Sequence, residues 1–253
     1  MNLKFITCSG TNEYTNIPTL VKLLEEFPIA EIGVQVSDVK CSYNSPRFAW
    51  IKSLVNYVNE KGVLINAALH VNLKWVENIG QGIIVPELSD LLSYRDVNGD
   101  FFFKRIQLNF KIGREKAPDF EKLTKLIRDH AKRRFILSYN ESNAELIRKM
   151  YRHGCLFDCL YDGSFGQGIT PSHWQVPVFT DIVQGYAGGI SPDNVREVLN
   201  EVQQLWRTSP TTADIYIDAQ GKLEDEQTHI DLAKARKYVQ NAYEWKLDHH
   251  HDY

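Results

Sequence analysis

The chain has 253 residues, 43% of them hydrophobic and 24% charged, with a formal net charge of −3. That composition excludes a disordered or fibrous protein, and its near-neutral balance argues against nucleic acid as the main partner. No apolar stretch reaches the ~18 residues of a membrane span, and the opening "MNLKFITCSG" lacks the basic flank of a signal peptide, so a cytoplasmic protein without a membrane partner is expected.

In chain order, short apolar runs read as strands at "LKFITC" (3–8), "EIGVQV" (31–36), "VLINAALH" (63–70), "KRIQLNF" (104–110), "RFILSY" (134–139), "LFDCLYD" (156–162), "VFTDIVQ" (178–184) and "DIYIDA" (214–219). Between most of them lie helix patterns with apolar residues three and four apart, such as "IPTLVKLLEEF", "PRFAWIKSLVNYVNEK", "PDFEKLTKLIRDHAKR" and "PDNVREVLNEVQQLW". After the last strand comes "EQTHIDLAKARKYVQNAYEW". Strand and helix alternating eight times over this length is the arithmetic of one α/β domain spanning 1–253, a (β/α)₈ barrel. A doubly wound open sheet is the rival, because alternation alone does not report closure; eight units with a helix at the end favour the barrel.

The connection 73–103 is long and contains the turn signal "VNGD", so it is expected to hold more than one short element and could cover the barrel mouth. Cys8, Cys41, Cys155 and Cys159 show no zinc-type spacing. The tail "LDHHHDY" reads as a frayed polar end rather than a metal site. No metal and no cofactor are expected. Helix surfaces of a barrel can also pair two copies into a homodimer, although no single stripe marks the face.

In such a barrel the site lies at the C-terminal ends of the strands, and phosphate is commonly held by the loops after strands seven and eight. "YAGGISPDNV" (186–195) falls where the first of these loops is expected. Gly188 and Gly189 let backbone N–H groups close on an anion, the following helix start adds donors, Ser191 or Asp193 can cap it, and Pro192 suits its first turn. A plain turn is the alternative. Gly221 supplies the partner loop after strand eight. Further polar residues expected at the mouth are Gln107, Asn109, Asn72 with His70, and Asn140 with Glu141. His70 is either an acid–base group or a structural histidine.

Several motifs resemble the phosphoribosylanthranilate isomerase family, (β/α)₈ enzymes of tryptophan biosynthesis. "YAGGISPDNV" is similar to the family's Ser-Gly-Gly-Leu-x-Pro-x-Asn-Val, and "TCSGTN" (7–12) to its Cys-Gly-Ile-Thr-Asn. "IQL" (106–108) resembles its Val-Gln-Leu, "LYDGSFGQG" (160–168) its Leu-Leu-Asp with a glycine-rich loop, and "YIDAQGKLE" (216–224) its Val-Asp-x-Ser-Ser-Gly-Val-Glu. The resemblance implies an Amadori-type aldose–ketose isomerisation of a phosphorylated ribosylamine, with Cys8 as general base and Asp162 as general acid. It further implies phosphate binding by Gly188, Gly189, Ala219 and Gly221, and substrate contacts from Gln107, Asn109 and Asp218. A Cys8 thiolate would need its pKa lowered and an Asp162 acid would need its pKa raised.

The pattern departs from the family around the ligand. Registering "YNSP" (43–46) on Tyr-Ile-Ser-Pro leaves Ser42 where the family has a carboxylate-binding arginine, with Lys40 and Arg47 as the nearby candidates. Phe110 replaces a small glycine, and Ala219 and Gln220 replace paired serines. A relative that keeps a phosphate cradle without isomerase activity, or that acts on another sugar phosphate, is therefore the alternative. An aldolase is disfavoured because Lys104 stands at the N-terminal end of its strand.

Overall fold

A computed structural model describes residues 1–110, 117–163 and 169–249. Eight strands, β1 (Leu3–Thr11), β2 (Ala30–Val36), β3 (Asn66–Val71), β4 (Arg105–Leu108), β5 (Arg134–Tyr139), β6 (Asp158–Asp162), β7 (Gln184–Ala187) and β8 (Ile215–Ala219), pair in parallel in chain order. β8 pairs back onto β1, which closes the barrel and settles the choice against an open sheet.

Helices α1 (Ile17–Glu26), α2 (Pro46–Lys61), α5 (Phe120–Asp129), α6 (Ala144–Arg152), α7 (Val195–Arg207) and α8 (Leu232–Asp248) follow strands one, two, four, five, seven and eight. Their ends are written in local chemistry. In α2, the Ser45 side chain accepts the Phe48 N–H, Pro46 opens the first turn, and Gly62 ends the helix at a φ of 68°. Asp231 caps α8 by accepting from the N–H groups of Ala233 and Lys234.

The connection 73–103 holds two short helices, α3 (Leu73–Gly80) and α4 (Pro86–Ser93). Trp75, Val76 and Ile79 of α3 and Leu88, Leu91 and Leu92 of α4 join the main core, so this segment forms part of the wall rather than a cover for the mouth. No helix lies among the described residues between β6 and β7. Pro171 and Pro177 interrupt that stretch, and it buries Trp174, Phe179 and Ile182 as an irregular segment instead.

β7 begins later than the apolar run "VFTDIVQ" implies. Residues 178–183 fold over the amide of Gln184, which accepts from the Val178 N–H and donates to the Phe179 carbonyl. The paired residues are Gln184–Ala187. Gly185 is required there, because a Cβ would lie 2.0 Å from the Tyr216 ring.

Strand parity sorts the side chains into two layers. Outward residues such as Ile6, Cys8, Ile32 and Val34 pack with the helices in one apolar cluster. The inward residues are unusually polar. Near the N-terminal end of the barrel, Arg105 reaches Glu31 at 2.6 Å and Asp158 at 3.1 Å, and its guanidinium lies 4.1 Å from the Tyr216 ring centre and 4.6 Å from that of Phe5. Thr7 donates to Glu31 at 2.8 Å. This plug forms the floor beneath the mouth. No helix among the described residues is long and apolar enough to cross a membrane.

Candidate active site at the barrel mouth

Above the plug, β1, β3 and β8 bring Ser9, His70 and Asp218 together. Ser9 Oγ donates to Asp218 Oδ1 at 2.5 Å and lies 3.4 Å from His70 Nδ1. Gly33 of β2 makes the space: a Cβ there would come within 2.6 Å of both Ser9 Oγ and the His70 ring. All three polar residues are buried, Asp218 at 6% exposure and His70 at 2%.

Burial pushes the Asp218 carboxyl up to about 7, helped by the charges of Glu31 and Asp162 against the Ser9 hydrogen bond. Burial, with the Arg105 charge, lowers His70 to about 3, so the imidazole is neutral. Asp162 ends β6, in register with Ala187, which is in turn in register with Asp218. The two carboxyls therefore belong to one level of the barrel, with the β7 backbone between their strands.

The remaining wall is lined by amides. Asn72 Nδ2 donates to the His70 carbonyl at 2.8 Å, Asn109 Nδ2 to Asn72 Oδ1 at 3.0 Å, and Gln107 Nε2 to Asn109 Oδ1 at 3.0 Å. Across the mouth, Gln35 donates to Gln220 at 2.7 Å and Gln220 to Glu224 at 3.0 Å. Asn140 instead closes a turn by accepting from the N–H groups of Ser142 and Asn143, and Glu141 is exposed.

A cavity of about 480 Å³ opens beside the loop after β7, lined by Thr170, Gly189, Ser191, Lys222, Lys234 and Lys237. Gly188 and Gly189 take φ values of 110° and 62°, and a Cβ on Gly189 would meet the Thr170 backbone nitrogen at 2.2 Å. Ser191 Oγ accepts from the N–H groups of Asp193 and Asn194, so the serine caps a turn that precedes α7 at Val195. Lys222 follows Gly221 in the 3₁₀ turn Gly221–Leu223, while Lys234 donates to the Glu224 carbonyl at 2.6 Å and Lys237 pairs with Asp193 at 2.6 Å.

The structure turns Cys8 away from this site, against its expected role as a base. Cys8 is in register with Ile32 and Ala219 on the outward faces of β2 and β8 and is 2% exposed. Burial, with the Asp218 charge, pushes its thiol well above the ordinary range, the opposite of what a thiolate base needs. Ala219 shares that outward face, so its side chain belongs to the core rather than to the cradle.

Arg47 is also committed elsewhere: it pairs with Glu13 and donates to the Gln35 carbonyl at 2.6 Å. Lys40 is exposed. The glycine-rich loop 164–168 lies outside the described residues, as do the last histidines of the tail. Among the described residues no three His, Cys, Asp or Glu side chains converge as metal ligands.

Sequence reasoning missed Ser9, Thr170 and the three lysines. Period-two alternation could have found Ser9, since Thr7, Ser9 and Thr11 share one parity. Lys234 and Lys237, three apart at the start of α8, had a helical signal but no reason to face the β7 loop until the barrel closed.

Neither a protein-family model nor a curated protein sequence matches the chain. Solved structures do resemble it. TrpF from Jonesia denitrificans is 17% identical, with 94% of this chain and 96% of that one covered at a TM-score of 0.53. A phosphoribosylanthranilate isomerase in complex with reduced 1-(o-carboxyphenylamino)-1-deoxyribulose 5-phosphate is 17% identical, with 96% and 98% covered at 0.54. Monomers of the dimeric isomerase from Thermotoga maritima are 18% identical over the same shares, also at 0.54. The chain thus has the fold of these (β/α)₈ proteins, end to end.

Proposed function

We propose that the protein is a phosphate-ester-binding barrel enzyme that carries out aldose–ketose isomerisation of a phosphorylated sugar derivative. The observation that supports this most is a buried carboxyl poised near neutrality, Asp218, on the same level as Asp162 and at the end of the strand whose following turn carries Lys222 of a lysine-lined cavity. In this reading Lys222, Lys234 and Lys237 neutralise the phosphate, and the backbone at Gly188, Gly189 and Gly221 approaches it closely.

The reaction needs a proton delivered to the ring oxygen as the C1–O bond opens, and a proton removed from C2. Asp162 supplies the first. Asp218, ionised above pH ~7, accepts the second in the role that the resemblance assigns to Cys8. Ser9 orients Asp218, and neutral His70 holds the hydroxyl side of the ligand.

Proton NMR in D₂O on phosphorylated ribosylamines and ribose 5-phosphate tests the reading, since turnover removes the C2 proton as C2 becomes a carbonyl and places solvent deuterium on C1. Exchange should stop in Asp218→Asn and persist in Cys8→Ala. The reverse pattern, in folded variants, would return the base to Cys8. The outward turn of the strand-one thiol also favours a second reading, a phosphate-ligand binder without turnover; binding without exchange on any sugar phosphate would establish it.

A further inference from the structure

The amide chain along the mouth has only one direction. It starts at a backbone carbonyl, His70 O, which can only accept, so Asn72 must point its NH₂ there and its oxygen outward. Asn109 then donates to Asn72, and Gln107 donates to Asn109. The orientation of each amide follows from the one before it, and the chain ends on Gln107 Oε1, a buried acceptor that no donor among the described residues reaches.

His70 ends the same way. The single hydroxyl proton of Ser9 goes to Asp218, so Ser9 Oγ offers a lone pair to the imidazole, which places the ring proton on Nδ1. Nε2 is left as a second buried acceptor without a donor. His70 and Gln107 are in register on adjacent strands and are 2% and 5% exposed. Leaving such acceptors unfilled is costly, and a donor-bearing molecule in the mouth would relieve that cost.

Charge among the described residues points the same way: Asp218 and Glu224 stand at this part of the mouth, while Arg47 and Arg105 are already paired with protein carboxylates.

Resting on the phosphate-binding reading above, we infer that the ligand couples its phosphate to an uncharged head rich in hydroxyl or N–H donors, and that a carboxylate-bearing head is rejected. Gln107 and His70 are the specificity-determining residues, because an anionic acceptor meets two acceptors there.

Calorimetric titration of the full chain with inorganic phosphate, ribose 5-phosphate and 3-phosphoglycerate tests this. Ribose 5-phosphate should bind at least about ten-fold more tightly than 3-phosphoglycerate, as two well-made hydrogen bonds provide. Gln107→Met should weaken ribose 5-phosphate about five-fold and leave inorganic phosphate within about two-fold, since only one of the two acceptors is removed. Equal or tighter binding of 3-phosphoglycerate to the wild-type chain overturns the inference while leaving the phosphate reading intact, and that comparison needs no variant to fold. Failure of all three probes to bind removes the phosphate reading and this inference with it.

Discussion

The plug below the site offers the sharpest test of how this barrel is held together. Arg105 is the only positive partner of Glu31 shown among the described residues and the main partner of Asp158, whose other ion pair is with half-exposed Arg134 at 3.4 Å. Replacing it as Arg105→Met keeps much of the volume and the contact with Phe5 and Tyr216 but leaves two carboxylates buried. Breaking a buried pair in this way costs about 3–5 kcal/mol, which for a domain of this size corresponds to about 6–20 °C in Tm. The cost has a pH signature. Burial already holds the Glu31 and Asp158 carboxyls above their ordinary range against the pull of Arg105, and its removal raises them further. A carboxyl raised in the folded state is stabilising below its unfolded pKa, about 4, and loses that contribution as pH rises towards the folded value. The gap between wild type and variant should therefore widen from pH 5 to pH 8. Thermal unfolding followed by far-ultraviolet circular dichroism reads it directly. A loss of less than about 3 °C at pH 8, or a gap that widens toward acid, would refute the argument.

Two further variants probe the mouth itself. Asp218, raised to about 7 by burial, favours the folded state at low pH and costs stability as pH rises through 7. Between pH 5 and 7 this amounts to about 2 kcal/mol, so Asp218→Asn should gain on wild type over that range in urea unfolding; parallel pH profiles would show that the carboxyl titrates normally. Gly33→Ala would place a methyl 2.6 Å from Ser9 Oγ and the His70 ring, an overpacking worth about 1–3 kcal/mol. It should also push the Asp218 titration, followed by carbon-13 NMR, further upward as the Ser9 hydrogen bond is lost, and an unshifted titration would mean the pair simply moves aside.

How much of this was legible in the sequence depends on which physical signal each residue carries. β5, Arg134–Tyr139, coincides with its sequence reading because its apolar run is bounded by polar residues at both ends. β7 was hidden: its four residues include Gly185, which contributes no hydrophobic letter, and its place is set by a Tyr216 ring thirty-one positions away that demands a residue without a side chain. The more apolar stretch before it is core-filling loop. Hydrophobicity reports burial, and here a buried loop and a buried strand look alike.

The strand-one motif shows a different failure, and it bears on the chemistry. Matched letter by letter, "TCSGTN" puts the cysteine in the catalytic place; taken by alternation, Ile6 and Cys8 lie on one face and Thr7 and Ser9 on the other. The closed barrel obeys the alternation, because Thr7 and Ser9 find Glu31 and Asp218 inside while Cys8 finds Ile32 and Ala219 outside. A one-residue change of register would exchange these sets and bury a serine among leucines, which is why parity is the stronger constraint. The glycine shifted to position 10, with a φ of 92°, sits at the irregularity in the β1–β2 register, after which Thr11 pairs with Val34 of the outward face. The departure from the resembled motif is thus a local change in which side chain of β1 faces the mouth. Ser9 thereby gives the mouth a hydroxyl that donates to Asp218, while the Cys8 thiol stays among the outward side chains, and the barrel scaffold is the same in either arrangement.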